Sequence, residues 1–102
     1  MKVTILYDNT TYNKDLESNW GFSALIEKEG APKILFDTGS SGKILLNNMQ
    51  KLGISPNTID EIFISHAHYD HVGGLSGFLS ENDQVKVWVP PAFKGVKNAR
   101  EV

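Results

Sequence analysis

The chain contains no cysteine. That excludes a disulfide framework, every thiolate metal site and any thiol nucleophile, so a metal here must be held by nitrogen and oxygen. Neither sign of charge dominates: 10 Lys plus Arg stand against 12 Asp plus Glu, a formal net charge of -2. Without a basic stripe there is no electrostatic footprint for a polyanion, and nucleic acid is not expected as a partner. Long apolar runs are also missing. The stretch Val3–Tyr7 is far too short for a signal core and no later window approaches a membrane span, so a cytoplasmic setting with no membrane contact is expected. Histidine is scarce, with three in 102 residues, and all three fall between positions 66 and 71. A chain of this length buries only about three-fifths to two-thirds of its unfolded surface, which allows one small domain over residues 1–102 but no deep private cleft.

Apolar and β-branched residues at 3–7 predict a first strand that stops at the turn-forming pair Asp8-Asn9. Trp20 to Glu27 reads as a second strand and Lys33 to Phe36 as a third. With Glu29-Gly30-Ala31-Pro32 between them, these two form a hairpin. The hairpin delivers Asp37-Thr38-Gly39-Ser40-Ser41-Gly42, too rich in Gly and Ser for strand or helix. From Lys43 the period changes. Leu45, Met49 and Leu52 are spaced for one helical face, Ser41 stands near the N-cap, and Gly53 sits where a helix stop wants a left-handed residue. Further on, Thr58–Glu61 reads as a brief helical turn or connector, Ile62–Ile64 as a buried strand, and Gly73 to about Leu79 as a short helical segment. Val85–Val89 alternates like a strand, and residues 92–102 are open to a helix on which Lys94, Lys97 and Arg100 form a solvated face. Trp20 and Trp88 read as core or interface packing. The order implies an α/β (α+β) arrangement, a mainly antiparallel or mixed sheet with flanking helices and no internal boundary.

The chemistry concentrates in Ser65-His66-Ala67-His68-Tyr69-Asp70-His71, directly after the most apolar predicted strand. On extended backbone successive side chains alternate, so His66 and His68 project to one side and can share an ion at about 2.0–2.1 Å each. Asp70 continues that side and His71 points elsewhere, which lets Asp70 and His71 serve a second ion about 3.5–4 Å from the first. Gly73 and Gly74 shape the loop, because the backbone must turn off the ligand run with no Cβ in the way.

His66-Ala67-His68-Tyr69-Asp70-His71 resembles the HxHxDH signature of the metallo-β-lactamase superfamily. Strand, hairpin, Phe36-Asp37-Thr38-Gly39, helix, Ile62–Ser65 and ligand loop follow in the order of the first half of that αββα sandwich. Ile5-Leu6-Tyr7-Asp8-Asn9, Gly21–Glu27, Leu52-Gly53-Ile54 and Ser65 through Leu75 are similar to its subgroup of dihydropterin ribofuranosyl-aminobenzene phosphate synthase-like hydrolases. The resemblance implies a metal-dependent hydrolase of an ester, lactone or phosphoester, with a small-molecule substrate and two divalent ions, zinc first and iron or manganese as alternatives. It assigns His66 and His68 to one ion and Asp70 and His71 to the other. Asp70 is also the catalytic residue that orients the attacking water, while the Asp37 carboxylate accepts hydrogen bonds from the ligand loop and keeps the histidines in orientation. An ion so held lowers the pKa of its water toward neutrality and polarises the scissile oxygen.

No His follows His71, so each ion would take two ligands from this chain, fewer than the three of ordinary catalytic zinc sites. Weak metal binding by the isolated chain is therefore expected. So is a homo-oligomer, or a second chain supplying the missing half, unless the sequence is a piece of a longer one. Two other readings compete. Ile34-Leu35-Phe36-Asp37-Thr38-Gly39 also resembles the catalytic loop of dimeric aspartic peptidases, which would make Asp37 one of two carboxyls sharing a proton. A non-catalytic interaction half-domain is the third.

Overall fold

A computed structural model describes residues 1–10, 15–65 and 69–90, with Tyr69 and Asp70 described by their backbone. The β-branched and apolar runs form five short strands, β1 (Lys2–Tyr7), β2 (Ser23–Glu27), β3 (Ile34–Phe36), β4 (Glu61–Phe63) and β5 (Lys86–Trp88), in one sheet ordered β1-β2-β3-β4-β5. β1 to β3 pair antiparallel, as a predicted hairpin must. β3, β4 and β5 pair parallel, which requires crossovers, and the helices are spent on these. Helix α1 (Gly42–Lys51) lies in the β3–β4 crossover, while α2 (Tyr69–Val72) and α3 (Leu75–Glu81) lie between β4 and β5.

Register puts Thr4, Leu25, Leu35, Ile62 and Val87 in one cross-strand row. The last four are buried and join Leu45 and Met49 of α1 and Leu75 and Phe78 of α3 in a single core. The adjacent row, Ile5, Ala24, Phe36, Phe63 and Trp88, faces the other way because side chains alternate along a strand. That row is apolar. Phe36 stacks on Phe63 at 5.7 Å and Phe22 meets Phe36 edge-on at 6.4 Å, while Val3, Ile5 and Phe63 remain 57%, 44% and 47% exposed.

α1 begins as its sequence requires: Ser41 is extended and its hydroxyl accepts the Ile44 N–H at 3.3 Å. It ends at Gly53, whose φ of +73 lets the Gly53 and Ile54 N–H groups return to the Gln50 and Met49 carbonyls. Three expectations need correction. β2 starts at Ser23 rather than Trp20, because Gly21, at φ +129, donates its N–H to Asn9 Oδ1 and turns residues 20–22 out of the ladder. The helical turn comes earlier, as a 3-10 turn over Pro56–Thr58 with Ser55 accepting from Asn57 N–H. Of core and interface packing, the core half fails for Trp20 and Trp88, which are 58% and 39% exposed; Trp88 donates Nε1–H to Glu61 and lies under Lys86. The expectation for residues 92–102, with Lys94, Lys97 and Arg100, falls outside the described residues. No helix among the described residues is long and apolar enough to cross a membrane.

Candidate metal centre

The end of β3 and the end of β4 meet at Asp37. Its N–H donates to the Phe63 carbonyl at 2.9 Å and its own carbonyl accepts the Ser23 hydroxyl at 2.7 Å. Asp37 is the single non-glycine residue with positive φ among the described residues, at +57. That left-handed turn is uncommon outside Gly, Asn and Asp, and it aims the side chain back across the sheet end. The side chain is 1% exposed. Oδ1 accepts the Ser65 N–H at 2.7 Å, and Oδ2 accepts both the Ser65 hydroxyl at 2.6 Å and the His71 Nδ1–H at 2.7 Å. One buried carboxylate thus grips residue 65, immediately before the His-rich run, and residue 71, its last member.

The main chain of the Asp37-Thr38-Gly39 turn is bonded to the same segment. Thr38 donates its N–H at 2.7 Å and its hydroxyl at 3.0 Å to the His71 carbonyl, and Gly39 accepts the Gly74 N–H at 3.0 Å. Gly39 needs its φ of +69 and also its bare Cα, since a Cβ there would collide with the Tyr7 ring, whose hydroxyl pairs with Ser40 Oγ at 2.7 Å. At Gly74 the reason differs from the expected one. Its φ is an ordinary -85, but a Cβ would collide with the Thr38 carbonyl oxygen, so glycine is required for close approach and not for the turn. Gly73 likewise has no positive φ.

The His-rich run is not extended throughout. Tyr69–Val72 is a helical turn, so Asp70 and His71 stand about 100° apart around a helix axis. Strand alternation, from which Asp70 was expected to continue the side of His66 and His68, therefore does not reach residue 70. His66 and His68 lie outside the described residues, as does the Asp70 side chain. What the structure brings together is Asp37, Ser65 and His71. With Nδ1 turned to the carboxylate, the ring nitrogen of His71 that an ion could use is Nε2, the orientation that a buried carboxylate imposes on a ligating imidazole. Among the described residues no group of three or more His, Asp or Glu forms a metal cage, since three of the four candidate ligands have no described side chain. Sequence reading passed over Ser65 and Thr38, although both are hydroxyl residues directly beside residues it singled out.

The aspartic-peptidase reading fails on this geometry. A carboxyl that shares a proton with a second Asp must face a cleft, whereas both oxygens of Asp37 are buried and occupied, and α1 follows the turn where that fold continues in strands.

Residues 21–100 match the family model of the metallo-beta-lactamase superfamily. The chain is 39% identical to the 7,8-dihydropterin-6-methyl-4-(beta-D-ribofuranosyl)-aminobenzene-5'-phosphate synthase of Methanocaldococcus jannaschii, covering 96% of this chain and 35% of that protein. It is 48% identical to the ribonuclease Z of Pediococcus pentosaceus over 59% of this chain and 20% of that one. The structure of human tRNase Z, short form, superimposes with a TM-score of 0.68 at 26% identity, over 90% of this chain and 36% of that one. The chain therefore spans about a third or less of the length of these relatives. The likeness to ribonuclease Z and tRNase Z overturns the expectation that set nucleic acid aside. A net charge describes the whole chain, not the groups that face a substrate, and so it was no ground for that expectation.

Proposed function

The chain belongs to the metallo-beta-lactamase superfamily, close to its dihydropterin-synthase-like subgroup, and from that premise we propose that it carries the ligand segment of a metal-dependent hydrolase. In this reading residues 1–102 form one N-terminal half-domain, His66 and His68 hold one zinc ion, and Asp70 and His71 hold a second. The donor set of nitrogen and oxygen suits zinc and also admits iron or manganese. The observation that carries the reading is the Asp37 carboxylate, which binds Ser65 and His71 at opposite ends of the ligand segment and takes His71 Nδ1, so that Nε2 is the ring nitrogen an ion would use. A divalent ion held there supplies Lewis-acid activation of a water and of the substrate's scissile group.

The chain's own residues do the rest. Asp70 would orient the attacking water by accepting its hydrogen, and Asp37, by accepting from Nδ1, would leave Nε2 as the nitrogen that His71 offers to the ion. Among ester, lactone and phosphoester, the likeness to ribonuclease Z and tRNase Z favours a phosphodiester, and RNA is the substrate class to assay first. The test is elemental analysis of the purified chain followed by hydrolysis of a structured RNA and of an aryl phosphodiester. Bound divalent metal with turnover of either substrate, both lost in His68→Ala, supports the reading. Bound metal without turnover reduces the chain to a metal-holding half, and metal content unchanged in His68→Ala refutes the assignment.

A further inference from the structure

Thr38 is wholly buried, and it directs two donors at one acceptor. Its N–H and its hydroxyl both reach the carbonyl oxygen of His71, at 2.7 and 3.0 Å. That carbonyl belongs to the last turn of α2, a helix of only four residues, so it lies among the carbonyls that no helical N–H can serve. The contact is also built from the other side. Gly74 donates its N–H to Gly39, and its missing Cβ is what lets the Thr38 carbonyl settle against it. Asp37 and Thr38 therefore divide the work on one residue: the carboxylate sets the ring of His71, and the threonine sets its main chain.

We propose that Thr38 is a positioning residue for His71, and that its hydroxyl, by holding the His71 carbonyl, keeps the imidazole in register with the Asp37 carboxylate. A ring fixed at Nδ1 alone could still swing about that hydrogen bond. A ring fixed at Nδ1 with its Cα pinned has one place for Nε2. The proposal rests on the reading of His71 as a ligand and deepens it. Replacing such an outer partner of a metal ligand characteristically weakens metal binding about 10–100-fold. Because the Thr38 N–H survives every side-chain change, the lower end is expected here.

The experiment uses the 102-residue chain, as wild type, Thr38→Val and Thr38→Ser. Thr38→Val keeps the shape and loses the hydroxyl, whereas Thr38→Ser restores it. The first measurement needs no metal: long-range nitrogen–proton NMR of the metal-free chain reads which ring nitrogen of His71 carries the proton. The wild type and Thr38→Ser should show the Nδ1–H form, and Thr38→Val a mixture. The second is cobalt(II) titration against a competing chelator dye, with the visible spectrum of the bound ion recorded. Thr38→Val should bind about tenfold more weakly with an altered spectrum, and Thr38→Ser should return to wild type. An unchanged tautomer together with unchanged affinity in Thr38→Val overturns the proposal and leaves Thr38 a packing residue. A wild type that binds no cobalt overturns the ligand reading itself, a result separate from any difference among the variants.

Discussion

Asp37→Asn is the sharpest perturbation, because it removes a charge and changes almost nothing else. Asparagine tolerates the left-handed φ of +57 as well as aspartate does, so no backbone term enters. It is isosteric, and its oxygen can keep the Ser65 N–H. The change falls on Oδ2, which accepts from Ser65 Oγ at 2.6 Å and from His71 Nδ1 at 2.7 Å. An amide NH₂ there must donate instead. The serine hydroxyl can rotate to accept, and His71 can do so by moving its proton to Nε2. Each bond then changes from one made to a charged acceptor, worth about 1.5–3 kcal/mol, to a neutral one of about 1 kcal/mol. The two together should cost about 2 kcal/mol of stability. Metal binding should suffer separately, since the proton on Nε2 occupies the nitrogen that an ion would use; a loss of about 10–100-fold in affinity is expected. Asp37→Ala adds about 1–2 kcal/mol of left-handed backbone cost and also removes the acceptor of the Ser65 N–H, so it should destabilise about twice as much. Urea unfolding followed by circular dichroism measures the first quantity, and zinc competition against a chelator measures the second. An Asp37→Asn chain as stable as wild type, with the same zinc affinity, would refute the argument that this carboxylate organises the site.

Other expected outcomes follow from single contacts. His68→Ala should abolish metal retention measured by elemental analysis; unchanged metal content would remove the His-rich run from the site. Gly74→Ala places a methyl group against the Thr38 carbonyl and should destabilise the chain by about 1–3 kcal/mol in thermal unfolding, with a lowered metal affinity that Thr38→Ser does not share. Asn48→Ala removes a buried amide that bonds the Leu6 carbonyl at 2.8 Å and the Glu17 N–H and carbonyl at 2.9 Å each. A loss of about 2–3 kcal/mol is expected, together with faster amide hydrogen exchange at Glu17. Leu35→Ala, at the centre of the buried cross-strand row, should cost about 2–5 kcal/mol by the same unfolding measurement.

Much of this molecule was legible in its sequence, because local rules govern it. β-branched runs marked four of the strands within a residue or two, the spacing of Leu45, Met49 and Leu52 with Ser41 and Gly53 at its ends marked α1, and HxHxDH marked the family. What failed did so where a distant partner overrides local preference. Trp20-Gly21-Phe22 reads as strand, yet Asn9 pulls Gly21 away from the sheet. Residues 69–72 read as extended ligand loop, yet they coil into a helical turn whose end carbonyl Thr38 caps from 33 positions away. Glycine 74 could be recognised as necessary, but the reason is a carbonyl brought against it by the fold, which no local pattern encodes. The sequence alone therefore determined which residue types are available for chemistry and, to within a residue or two, where four of the strands and α1 lie, since these depend on near neighbours along the chain. Only the tertiary structure decided that one buried carboxylate holds Ser65 and His71 together, because hydrogen bonds between residues 28 and 34 positions apart exist only once the sheet and its crossovers have formed.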